Sequence, residues 1–187
     1  GKKSIFDNIA KDDLVMAFFP CIYFCEASQL AFSFGYNNYR KKNDMEIANE
    51  ILKRSREREK YYTLLIKMYA ICRSKKIRMI IENPWTQPTY LKVNFTPPTI
   101  IDKNRLIRGD YFKKPTAYWF VSCKPTYGSS IQKDKKQKII ESTKSSKTAG
   151  MCSKERSMIS SDYARNFICD FILGKEQKGI TEPSLFK

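Results

Sequence analysis

Two short segments carry side chains that could do covalent chemistry. Asp13-Leu14-Val15-Met16-Ala17-Phe18-Phe19-Pro20-Cys21 is an apolar run ending in Pro-Cys, and Ile77-Arg78-Met79-Ile80-Ile81-Glu82-Asn83-Pro84 is a second ending in Glu-Asn-Pro. A thiol is a nucleophile and a carboxylic acid moves protons, so together they suit covalent catalysis with proton transfer. The chain has no His, which removes Ser-His-Asp and Cys-His chemistry, and Cys21 would need activation by an Arg, a helix N-terminus or the substrate itself.

Both side chains need elements that deliver them to one place. Near-continuous apolar runs are what strands covered on both faces show, so residues 13–19 and 77–82 are read as parallel core strands. Each ends by presenting its reactive residue past its C-terminal end, the edge of an open α/β sheet where ligands bind. Residues 44–74 between them read as one long helix that Asp44 or Asn43 can cap. Its inner stripe is Ile47, Ile51, Tyr62, Leu65, Tyr69 and Cys72, and its middle, Lys53 to Lys60, is densely charged and reads as a solvated face. Arg54 and Arg58 lie one turn apart, within possible reach of a cleft or a phosphate.

With that order and those strand contexts, Pro20-Cys21 and Glu82-Asn83-Pro84 resemble the two central motifs of the DNA (cytosine-5) methyltransferases. The resemblance implies that Cys21 attacks C6 of a flipped-out cytosine while Glu82 protonates or hydrogen-bonds N3. A methyl group from S-adenosylmethionine is then taken up at C5. Residues 104–121, with Gly109-Asp110 and Lys114-Pro115-Thr116 ahead of an aromatic strand at 116–122, resemble the short, phage-type relatives. Glu155 to Ser160 followed by Tyr163 to Ile168 resembles the family's terminal region. The implied substrate contacts are Pro20, Asn83, Pro84, Arg105, Arg108, Lys114 and Thr116. The two arginines and the lysine are approximate counterparts of a Gln-x-Arg-x-Arg motif whose Gln is absent. The implied fold is α/β, a partial Rossmann-like methyltransferase fold with parallel core strands and flanking helices. It is read as a single catalytic domain over 1–187 in a bacterial or phage-infected cytoplasm.

The resemblance covers roughly residues 10 to 174 and lacks the Gly-rich turn that holds S-adenosylmethionine in the family; the chain has only 7 Gly. The expectation is therefore an excised domain, a cofactor half supplied by a second chain or upstream domain, or a protein that has lost methylation. Two other functions stay open: a catalytically incomplete DNA-binding module, and a pyrimidine-modifying enzyme acting on a free nucleotide with another one-carbon donor.

Composition favours a polyanionic partner. Against 19 Asp and Glu stand 35 Lys and Arg, a net charge of +16, which points to nucleic acid and is more than a mononucleotide needs. After Cys21 the chain interleaves aromatic and basic residues, where bases can stack and phosphates can pair with cations. There Tyr39, Arg40, Lys41 and Lys42 are read as exposed DNA contacts, and Phe32 and Phe34 as packed inward. Trp85 either walls a base pocket or plugs the core. Residues 84–98, with four prolines, read as irregular. Residues 128–154 read as a basic flexible insert, 161–174 as a terminal helix with Phe167, Ile168 and Phe171 inward and Gly174 as its stop, and 175–187 as a loose tail. No apolar run is long enough to span a bilayer. The six cysteines include no Cys-x-x-Cys pair and read as reduced, and no metal site is expected.

Overall fold

The computed structural model describes residues 4–86, 89–129, 131–132 and 158–175. The chain divides into two compact units, one formed by 1–102 with 115–124, the other by 103–114 with 125–187.

The first unit is a mixed α/β layer. Strand β1 (Leu14–Phe18) leads into short turns and the four-residue helix α1 (Glu26–Gln29). Helix α2 (Asp44–Ser74) then returns the chain to β2 (Arg78–Pro84). Asn43 and Glu46 start α2 with a reciprocal capping box, each side chain accepting the other's backbone N–H, which satisfies two of the helix's unpaired donors. Two further elements follow, the first within the passage 84–98 expected to be irregular and the second just after it. Helix α3 (Tyr90–Asn94) is capped by Thr89, which accepts from the Lys92 N–H, and β3 (Ile100–Asp102) precedes β4 (Thr116–Val121).

The sheet order is β1-β2-β4-β3. β1 and β2 are parallel as expected, but β4 runs antiparallel to both β2 and β3. The expectation of uniformly parallel core strands is corrected here. An all-apolar strand signals burial on both faces, not the direction of its neighbour. One face of the sheet packs on α2, joining Ala17, Met79, Ile81, Ala117, Trp119 and Val121 to Leu65 and Cys72. Trp119 anchors this core: its indole N–H donates to the Thr96 carbonyl at 2.7 Å, and its ring meets Trp85 and Phe95.

The second unit is held by buried ion pairs. Ser160 caps the helix α4 (Ser161–Ile168), which widens into a π-helical turn at Cys169–Leu173 and stops at Gly174 in the left-handed region (φ 62°). Tyr163, Phe167 and Phe171 repeat every four residues and are buried. Ile168, one residue off that line, is 43% exposed, which corrects the expectation that it faces inward. The expected basic insert falls almost entirely, and the expected tail apart from Lys175, outside the described residues.

Candidate functional site

The two candidate catalytic residues belong to neighbouring strand ends of the first unit. The parallel register sets Phe18 beside Glu82, so Cα atoms there are about 4.8 Å apart. Cys21 lies three residues past Phe18, within about 11 Å of chain. Pro20, extended at ψ 107°, ends the strand and turns the chain so that Cys21 opens a 3-10 turn. The Cys21 carbonyl accepts the N–H groups of Phe24 and Cys25 at 3.0 and 2.8 Å, which fixes the turn from within. Phe24 is fully buried beside Tyr90 and its carbonyl accepts the Tyr90 N–H, while Tyr23 stacks on Tyr61 of α2. The backbone that presents the thiol is thus nailed to α2 and α3 immediately downstream.

Glu82 is 7% exposed and Asn83 1%. Among the described residues neither amide atom of Asn83 has a hydrogen-bond partner. A buried amide without a partner costs about 1–3 kcal/mol, so the strand end carries an unmet polar demand next to the candidate acid. Trp85 follows, half-buried, its N–H donating to the Pro115 carbonyl and its ring edge-on to Trp119. That contact makes it part of the core.

Cross-strand pairing sets Thr116, one of the expected contacts, beside two residues that the sequence reading passed over, Tyr118 and Asp102. Tyr118 lies directly opposite Glu82, and Thr116 opposite both Pro84 and Asp102. Directly opposed residues project on the same sheet face with Cβ atoms about 5 Å apart. Glu82, Tyr118, Thr116 and Asp102, all buried, therefore form a polar row on the face away from α2. The signal was present in Thr116-Ala117-Tyr118-Trp119-Phe120-Val121, where alternate positions share a face, but only once β4 is known to pair with β2.

The remaining expected contacts fare unevenly. Arg40, Lys41 and Lys42 are exposed, with Arg40 bonded to Asn37 and Lys42 to Glu50. Tyr39 is a correction: it is 5% exposed, its hydroxyl donates to the Ala31 carbonyl at 2.9 Å, and its ring meets Tyr36 edge-on, so it staples its own loop. Phe34 is the reverse correction, at 57% exposed, because the same loop turns it outward. Arg105 and Arg108 are corrections of another kind. Arg105 is fully buried in the second unit, paired with Asp110 and lying 4.2 Å from the Tyr163 ring centre. Arg108 is bonded to Asp170 at 2.9 Å over the Phe171 ring. Internal acids claim both guanidinium groups. Lys114 is half-buried in that unit.

The second unit also joins the two segments that carried the outer parts of the resemblance. The Ser160 hydroxyl donates to the Gly109 carbonyl at 2.7 Å, and the Ser160 N–H donates to an Asp110 carboxylate oxygen. Gly109 holds φ 84°, a conformation that favours glycine.

Of the arginines on α2, Arg58 is inserted between the rings of Phe32 and Tyr90, 3.7 and 4.6 Å from their centres, and donates to the Gln29 side chain at 3.2 Å. Desolvation by burial lowers its pKa. It ties the stretch after Cys21 to α2 and α3. Among the described residues no cluster of three His, Cys, Asp or Glu could hold a metal ion, and no helix is long and apolar enough to cross a membrane. The described glycines, 35, 109, 128 and 174, include none in a turn directly following a sheet strand. The Gly-rich turn that the resemblance asks for at the methionine end of S-adenosylmethionine is therefore not among the described residues.

No family model, no curated protein and no solved structure matches the chain.

Proposed function

We propose that the chain is the catalytic portion of a DNA (cytosine-5) methyltransferase of the short, phage-like type, with a partial Rossmann-like fold. The observation that carries this reading is the parallel register of β1 and β2, which brings the Pro20-Cys21 and Glu82-Asn83-Pro84 strand ends side by side. The thiolate of Cys21 adds to C6 of a cytosine, forming a C–S bond. Glu82 gives or shares a proton at N3 and so draws the electron pair from the 5,6-double bond. C5 becomes nucleophilic. When solvent supplies a proton to C5, loss of the original C5 hydrogen and expulsion of the thiolate restore the double bond. That exchange balances without any methyl donor and uses only this chain's residues. Methylation itself needs S-adenosylmethionine, held by a second chain or a further domain.

The test is trapping on duplex DNA carrying 5-aza-cytosine. A denaturant-stable adduct is expected, lost in Cys21→Ser with DNA binding retained, and slowed about 10²–10⁴-fold in Glu82→Gln. An adduct that persists in Cys21→Ser refutes the assignment. The lack of that Gly-rich turn among the described residues favours a second reading, a methyltransferase-like module that holds DNA without methylating it. Tight, salt-sensitive DNA binding with neither adduct nor C5 hydrogen exchange would select that one. Activity on free nucleotides but not on DNA would instead select the nucleotide enzyme.

A further inference from the structure

Helix α2 has a second face that the candidate site does not use. Lys53, Arg56, Lys60 and Lys67 are all exposed. At about 100° per residue, the four lie within an arc of about 60°, and at 1.5 Å per residue they span about 21 Å of the axis. Leu65 and Cys72, which face the sheet, sit roughly 150° around the helix from the middle of that arc. Arg56, Lys60 and Lys67 line one open groove with Glu59, Thr63 and Leu64.

The charges on this face are uncompensated. Among the described residues, none of the four cations lies within ion-pair distance of an acid, although Glu57 and Glu59 are on the same helix. Arg56 and Lys60 are one turn apart, a like-charge spacing that costs a helix a few tenths of a kcal/mol. About four turns carrying aligned cations on the solvent side of a 31-residue helix form a linear positive rail. Duplex DNA presents a phosphate every 3.4 Å per strand, a linear negative one, and each cation placed against it releases counterions.

We propose that the outer face of α2, through Lys53, Arg56, Lys60 and Lys67, is a docking surface for the sugar-phosphate backbone of duplex DNA, separate from the strand ends that carry Cys21 and Glu82. It makes no base contacts, so it binds all sequences alike and holds the protein on DNA. The chemistry at Cys21 can fail and this surface still stand, since only backbone charge is involved.

The experiment measures binding to a fluorescent random-sequence duplex as a function of salt. The variant Lys53→Gln, Arg56→Gln, Lys60→Gln, Lys67→Gln is compared with one that removes the same charge elsewhere, at the exposed Lys11, Lys92, Lys103 and Lys124. The α2 variant is expected to flatten the slope of log K against log salt by about 3 to 4 and to weaken low-salt binding by on the order of 10²-fold. The other quartet should change the slope by less than one unit. Replacing the three lysines by arginine should keep wild-type binding. Equal losses in both quartets, or no change in the α2 variant, would overturn the proposal. So would a rail that binds anionic phospholipid vesicles and not the duplex. Circular dichroism checks that each variant is folded. Adduct formation on 5-aza-cytosine DNA at saturating concentration should be unchanged in the α2 variant. Loss of the adduct in wild type with the slope difference intact would refute the cytosine chemistry alone.

Discussion

Arg58 makes a sharp test of how the stretch after Cys21 is held. Its guanidinium lies between Phe32 and Tyr90 and donates to Gln29. Each cation–π contact at a partly open site is worth about 0.5–1 kcal/mol, and a hydrogen bond from a charged donor about 1.5 kcal/mol. Arg58→Ala should therefore cost about 2.5–3.5 kcal/mol. The loss should appear first as local opening of residues 25–39, because this side chain ties both Gln29 and Phe32 of that stretch to α2. At 1.4 kcal/mol per tenfold, exchange of the Tyr39 amide, which bonds the Tyr36 carbonyl, should speed up by about 60- to 300-fold. Amides in β2 should change less. Arg58→Lys keeps a charge over one ring but loses the planar fork, and should fall between the two. Native-state hydrogen exchange read by mass spectrometry resolves this. Unchanged exchange across 25–39 in Arg58→Ala would refute the view that Arg58 holds the stretch, whatever happens to global stability.

Other outcomes follow from the same geometry. Arg105→Met should destabilise the second unit by about 3–5 kcal/mol, since it leaves Asp110 buried without its cation, and adding Asp110→Asn should recover part of that; thermal melts decide. Burial pushes the thiols of Cys72 and Cys123 above their usual value of 9.0, so both stay protonated to higher pH than an ordinary thiol. At pH 8 a maleimide read by mass spectrometry should label them more slowly than Cys21. The rate at the part-buried Cys123 should keep rising above pH 9, whereas Cys72, fully buried, should react only on unfolding.

What the sequence disclosed depended on whether the signal was local. β1, α2, β2, β4 and α4 were legible because apolar runs, a capping box and a terminal glycine are written within each element. β3 and α3 were not, for three and five residues among prolines leave no periodicity to read. The direction of β4 was also hidden, because Tyr118 shows its relation to Glu82 only through pairing across 36 residues. The candidate site divides the same way. Cys21 and Glu82 end strands that announce themselves. The buried state of Tyr39 depends on the Ala31 carbonyl, and that of Arg105 on Asp110, partners that residue type alone does not reveal.

The fate of the arginines bears on how a chain of net charge +16 would meet a polyanion. A cation already paired inside the protein gains little from a phosphate and must first give up its partner. Arg105 and Arg108 are spent on Asp110 and Asp170, and Arg58 on Gln29 and two rings. Exposed cations such as Lys41 and the four on the outer face of α2, none of them ion-paired with an acid among the described residues, carry little of that cost. Neutralising the internal group should lower stability and leave the salt slope of DNA binding intact, whereas neutralising the exposed group should do the reverse. If Arg108→Gln flattened the slope as much as Lys60→Gln without loosening the fold, pairing inside the chain would not be what keeps Arg108 from the phosphates.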